Sequence, residues 1–234
     1  MSKVVLQIRK ELKLKIEPKY RDGERKFFKE KVKNYGVRTP ERRKIAAKIY
    51  QEIKGLSKDK MFQLIEELLK SGYSEESTIA FDLTYRIRDS FEKKDFMVFE
   101  RWVNKYVDNW AKCDDFCTHS VGFLVHKHPK LAKDLFKWTE SKNRWVKRAA
   151  AVSYIYPVNK AKNINYVMKT AKALLMDSDD MVQKGYGWML KEASKNHLKI
   201  VFEYVLSEKH RMPRTALRYA IELMDKKLKR QAMA

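Results

Sequence analysis

Turn residues are scarce in this sequence, with 7 glycines and 5 prolines among 234 residues. That scarcity excludes β-sandwiches and barrels, whose many short strands need such residues at each reversal. Cysteine is scarcer still. Cys113 and Cys117 cannot staple a secreted scaffold of this size, so an intracellular setting is expected. Long apolar runs are missing: no uncharged stretch exceeds 11 residues, far short of the roughly 20 a membrane helix needs. The N-terminal MSKVVLQIRKELKLKIEP is broken by charge at every turn and does not read as a signal peptide. Acidic charge is in deficit too, with 30 Asp+Glu against 52 Lys+Arg, a formal net charge of +22.

What is present is a folded, helical, basic chain. Hydrophobic residues make up 44%, enough for a sizeable core. The positive charge is not a tail. Residues 141–234 carry 20 basic and 8 acidic side chains, and the first 140 carry 32 and 22. A basic surface on a folded body fits a polyanion, nucleic acid above all, because each neutralised phosphate releases counterions. Charge alone does not separate that reading from a soluble Lys-rich protein.

The apolar spacing predicts helices over roughly 3–17, 21–34, 40–54, 58–71, 75–88, 91–107, 111–127, 130–139, 144–156, 160–176, 179–195, 198–207 and 213–230. Segment 57–72 shows the grammar. Ser57 is a good N-cap, Asp59 sits in the first turn, and apolar pairs fall at Met61/Phe62, Leu64/Ile65 and Leu68/Leu69 before Gly72 closes the element. Pro40, Pro129 and Pro213 and the run Ser74-Glu75-Glu76 mark further helix starts. No stretch alternates with period 2, and no linker divides the chain, so one domain over 1–234 is expected.

The helices repeat. Aligning Thr78, Asp114, Arg148, Lys184 and Arg214 spaces them by 36, 34, 36 and 30 residues, near the period of HEAT-like helix pairs. The fold class is therefore all-α, a solenoid of HEAT-like helix pairs. Such a stack aligns equivalent positions along a concave groove, and three of the five are basic. A packed bundle without superhelical order is the plainer alternative.

Few residues here carry chemistry. Trp110 and Asp114 lie four apart and share a helix face, although a Trp there is usually core and an Asp usually a cap. Gly185 and Gly187 flank Tyr186 just before Trp188, and mid-helix glycines are costly unless something approaches closely. Arg148 lies one repeat after Asp114, with a solvated charge as its plain reading. Cys113, Cys117, His119, His126 and His128 lack recognised metal-ligand spacing. No phosphate loop, nucleophile elbow or His-Glu-x-x-His is present.

Four stretches, Tyr35-Gly-Val-Arg-Thr-Pro-Glu-Arg-Arg43, Asn109-Trp-Ala-Lys-Cys-Asp114, Asn143-Arg-Trp-Val-Lys-Arg-Ala-Ala150 and Lys184-Gly-Tyr-Gly-Trp-Met-Leu-Lys-Glu192, together resemble one family. Arg214-Thr-Ala-Leu-Arg-Tyr-Ala220 adds a weaker fifth. In order and spacing, over roughly 20–222, the chain resembles the DNA alkylation repair glycosylases of the AlkD-like, HEAT-like repeat type.

The resemblance implies a basic concave groove that holds double-stranded DNA, and an enzyme of base excision repair that excises N3- and N7-alkylated purines. It assigns Trp110, Asp114 and Trp188 to the deoxyribose of the lesion and Arg148 to backbone phosphate. Lys147, Lys184, Lys191, Arg214, Arg218, Thr39, Arg43 and Phe27 complete the DNA-binding set. It implies no metal or organic cofactor, no membrane, a monomer, and excision without a base pocket, unlike the base-flipping glycosylases. The sequence departs from the family pattern at three places. Ala111 stands where many relatives have a second acid, Lys191 where Arg is expected, and Phe27 where a hydroxyl-bearing aromatic is expected. Two alternatives stay open: a non-catalytic member that binds distorted or branched DNA, and a HEAT-type protein-interaction scaffold.

Overall fold

The computed structural model describes residues 2–234. Its helices are α1 (Lys3–Lys13), α2 (Pro18–Phe27), α3 (Thr39–Ile53), α4 (Lys58–Leu69), α5 (Ser74–Arg86), α6 (Asp95–Tyr106), α7 (Trp110–Phe116), α8 (Gly122–Lys127), α9 (Ala132–Lys137), α10 (Arg144–Val152), α11 (Ile155–Val158), α12 (Ile164–Leu174), α13 (Asp180–Glu208), α14 (Arg214–Ala220) and α15 (Lys226–Met233). Among the described residues the β pairing is limited to an isolated bridge between Lys33 and Tyr73. The all-α solenoid class expected from the sequence is the class observed.

Contacts group the chain into two compact units, residues 1–91 with 105–115, and residues 92–104 with 116–234. The borders fall just before α6, within α6 and within α7.

In the first unit α5 packs against α3 and α4, and α1 lies against α3. Val5, Ile8 and Leu12 of α1, Ile45 and Ile49 of α3, and Leu64, Ile65 and Leu68 of α4 are buried, each residue worth about 1.5–3 kcal/mol when fully removed from water. Ser57 caps α4, its Oγ accepting from Lys60 N at 3.4 Å. The expected helix 21–34 stops early, at Phe27. Tertiary contacts claim the following backbone. The fully buried Glu75 carboxylate accepts from the N–H groups of Tyr35 (3.0 Å), Gly36 (2.8 Å) and Val37 (3.0 Å). Gly36 has φ +94°, and a Cβ there would lie 2.5 Å from Arg21 Cβ, so only glycine fits the turn. Glu76, also fully buried, takes both arms of Arg9 at 2.9 Å and the Tyr35 hydroxyl at 2.7 Å. Both acids at the start of α5 thus do more than complement its dipole.

In the second unit α13 is the hub, packed on α10, α12 and α14. Ala149, Ala150 and Ala151 of α10 are fully buried. Gly187 brings α13 and α14 together: a Cβ there would lie 2.7 Å from Ala216 O and 2.8 Å from Tyr219 Cβ. The expected helices 179–195 and 198–207 are one hydrogen-bonded element kinked at His197 (φ −137°, ψ 44°). The expected 213–230 is instead two helices, because Asp225 caps α15 by accepting from Leu228 N at 2.8 Å. Segment 111–127 contains a π-helical turn over Cys117–Val121.

Helix boundaries sharpen the repeat. Thr78, Asp114, Arg148 and Lys184 are each the fifth residue of their helix. In α14 the fifth residue is Arg218, not Arg214, which opens it. The corrected spacing is 36, 34, 36 and 34 residues.

Candidate nucleic-acid interface

The first unit contains a cleft of about 680 Å³ walled by α2, the start of α3 and α7. Asn109 sets the position of α7: its side chain is buried, and Oδ1 accepts from Lys112 N at 3.0 Å as an N-cap. Trp110 is therefore the first helical residue, and Asp114 and Asp115 follow one turn later. Helix α2 has no buried residue. Polar contacts hold it instead, with Arg42 on Glu24 (2.8 Å), Asn34 on Glu24 (2.5 Å) and Arg25 on Asn34 (2.9 Å).

Three aromatic rings meet at the cleft. Phe28 stacks on Trp110 with centroids 5.4 Å apart and planes at 23°. Phe27, 70% exposed, meets Trp110 edge-on at 6.0 Å and 72°. The second wall is ionic. Arg43 bridges Asp115 and, at 3.2 Å, Asp82, which also holds Arg86. Burial alone would lower the Arg43 pKa, but the two carboxylates outweigh it and hold the pKa above its usual value.

Of the expected residues, Phe27, Thr39, Arg43 and Trp110 all line this cleft. Of the two adjacent acids of α7 it is Asp115, rather than Asp114, that lines the cleft, together with Glu24 of α2. Asp114 is half-buried on the adjacent face of α7, turned roughly 100° around the helix. The sequence reading missed Asp115, whose one signal was its place beside Asp114, and Phe28, which nothing distinguished from Phe27.

The remaining expected residues lie in the second unit. Trp188 is half-buried on α13, and its Nε1 donates to Glu192 Oε1 at 3.3 Å. Glu192 also accepts from Asn159 Nδ2 at 3.3 Å and from Lys195 Nζ at 2.5 Å. Burial pushes the Glu192 carboxyl up, but those three donors more than offset it and keep it below the usual range. Glu192 ended one of the motifs, yet spacing alone assigned it no task.

Arg148 is 5% exposed, so the solvated-charge reading does not hold. Its Nη1 donates to Met181 O at 2.5 Å, and its stem crosses Gly185, where a Cβ would lie 3.1 Å from Arg148 Cγ. The expected lysines of this unit are committed to ion pairs. Lys147 pairs with Asp177, Lys184 with Asp180 at 3.3 Å, and Lys191 with Glu222 at 3.2 Å. Arg214 and Arg218 are both exposed. Among the described residues no group of three or more His, Cys, Asp or Glu is placed to hold a metal ion. None of their helices is long and apolar enough to cross a membrane.

The fold is shared with a solved structure, a predicted DNA alkylation repair enzyme from Enterococcus faecalis. The two superpose with a TM-score of 0.81 at 20% identity, covering 91% of this chain and 98% of that one. No curated protein matches the chain. The sequence model described as DNA alkylation repair enzyme matches residues 8–224. Over almost its whole length, then, the chain belongs to the DNA alkylation repair enzyme family, whose work is the repair of alkylated DNA.

Proposed function

We propose that the protein is a DNA glycosylase that releases cationic alkylated purines, N3-methyladenine and N7-methylguanine, from duplex DNA and leaves an abasic site. The observation that carries the reading is the pairing of Trp110 and Asp114 one turn apart on α7, beside an aromatic and cationic cleft.

The chemistry suits these residue types. An alkylated purine of this kind already carries positive charge, so it leaves without an acid to protonate it. What the enzyme must supply is stabilisation of the oxocarbenium developing on the sugar, and an oriented water. The Asp114 carboxylate serves both ends, electrostatically and as a hydrogen-bond acceptor. The Trp110 indole contributes through its face, because a ring quadrupole attracts cations. On the family pattern Trp188 is a second such indole and Arg148 a phosphate ligand, with Lys147, Lys184, Lys191, Arg214 and Arg218 adding backbone affinity. No step in this scheme requires a metal or an organic cofactor.

The test is release of free base from methylated duplex DNA in EDTA and low salt, resolved by chromatography. Wild type should release both bases. Asp114→Asn should lose most of the release while still binding DNA. Trp188→Ala tests the second indole separately. Binding with no release in wild type would refute the enzyme and leave the non-catalytic DNA-binding reading.

A further inference from the structure

The second unit has a groove of its own, on elements that carry none of the residues assigned to DNA. It holds about 590 Å³ and lies between α6 and the segment made by the turn Pro129–Leu131 and α9. Two contacts fix its walls. Phe96 of α6 stacks on Trp138, just past α9, with centroids 5.2 Å apart and planes at 28°. The Trp138 indole N–H donates to Glu100 Oε1 of α6 at 2.7 Å. Phe96 and Leu131 give the groove a buried apolar lining, and Met97 beside them is 74% exposed. An unbranched thioether left in water at the edge of an apolar groove suits a surface that adapts to a partner.

The charges around this apolar surface are one-sided. Both acids that line it are engaged, Glu100 with Trp138 and Asp134 with Lys137 at 2.9 Å. Lys93 lines it with no hydrogen-bond or ion-pair partner for its ammonium among the described residues. The same holds for Lys130 and Lys133, exposed on the turn and on α9. Lys94 meets Glu92 at 3.1 Å, but both side chains are mostly exposed, and such a pair exchanges readily for another carboxylate.

That pattern selects the occupant. A second copy of this chain, at +22, would mostly bring cations to cations. Duplex DNA would satisfy the lysines, but its phosphate surface offers nothing to Met97 and Leu131. An acidic protein segment with apolar side chains among its carboxylates meets both demands: the anchors enter the groove and the carboxylates reach its rim. We propose that the groove between α6 and α9 docks an acidic, amphipathic segment of a partner protein, with leucine or aromatic anchors against Phe96, Met97 and Leu131 and carboxylates on Lys93 and Lys94.

The experiment selects random peptides displayed on phage against the immobilised full chain, at physiological salt to screen diffuse attraction to a basic protein. Enriched peptides should carry Asp or Glu around leucine or aromatic anchors. Made synthetically and measured by fluorescence anisotropy, they should bind Met97→Gln about tenfold more weakly than wild type, as loss of a central anchor contact does. That variant changes no charge, and its exposed position does not threaten folding, so its affinity for duplex DNA should equal that of wild type. Lys93→Gln should also weaken the peptides and flatten their salt dependence. Enrichment of no acidic and apolar peptide, or equal affinity of the selected peptides for wild type and Met97→Gln, overturns the proposal. A wild-type dimer in sedimentation that Met97→Gln dissociates would overturn it too, by assigning the groove to a second copy.

Discussion

Beside Trp188, Gly187 lets α13 and α14 approach closely, and replacing it with alanine tests the packing directly. The added Cβ would lie 2.7 Å from Ala216 O, 2.8 Å from Tyr219 Cβ and 3.1 Å from Ala216 Cα. Two of those atoms are backbone and cannot rotate away, so α14 must move off α13. Overpacking of this kind costs about 1–3 kcal/mol, and with backbone in the way the upper end applies. Alanine returns about 1 kcal/mol through its higher helix propensity. The net loss is about 2 kcal/mol, which for a chain of this size lowers Tm by about 4–8 °C. Gly23 is the internal control. It lies in α2 with nothing within 4 Å of its Cβ position, so Gly23→Ala should gain up to about 1 kcal/mol. Thermal melts followed by circular dichroism read both. Since Trp188 is the next residue, the Gly187→Ala shift also displaces that indole, and base release should fall with it. A Gly187→Ala protein that melts at or above wild type refutes the argument.

Buried phenols give a second measurement. Burial leads the upward shift of Tyr35, Tyr154, Tyr186 and Tyr204, and the Glu76 hydrogen bond adds to it at Tyr35. A folded pKa above the unfolded one stabilises fully below about pH 10 and is lost as pH rises through the folded value. Ultraviolet titration should therefore show these four of the 12 tyrosines staying protonated beyond the rest, until unfolding releases them together. Titration of all 12 in one ordinary step would contradict the burial. Glu192 runs the opposite way. Its carboxyl is held below the usual range despite burial, by Lys195, Asn159 and Trp188, so its contribution is present above the ordinary carboxyl pKa and disappears as pH falls through the folded value. Glu192→Gln should cost about 1 kcal/mol at pH 7 and progressively less in acid, read as a difference in Tm that narrows below pH 4.5. A constant difference across that window would show that the charge is irrelevant.

Much of the architecture was legible because it follows from local rules. The helix of segment 57–72 was written in its cap, its apolar pairs and its terminal glycine, and it forms as Lys58–Leu69. The motif order carried the family. The period of the repeat was nearly right from spacing, and failed only at Arg214, which opens α14; counted from the helix start it is Arg218 that is in phase. Where local rules failed, long-range partners had intervened. The chain after Phe27 is a good helix former, yet Lys33 O accepts from Ser74 N–H at 2.9 Å, and the N–H groups of residues 35–37 go to Glu75, some 40 residues away.

The candidate site divides in the same way. Composition, spacing and family pattern sufficed to single out Trp110, Asp114, Trp188 and Arg148, since residue type and phase are properties of the string. Burial and pairing are not. Only the tertiary structure decided that Arg148 is sealed against Gly185, that Asp115 rather than Asp114 faces the aromatic cleft, and that Lys147, Lys184 and Lys191 already hold carboxylate partners. The net charge of +22 is a sum over side chains and can be counted. Which of those charges are already paired depends on which carboxylates folding brings within reach.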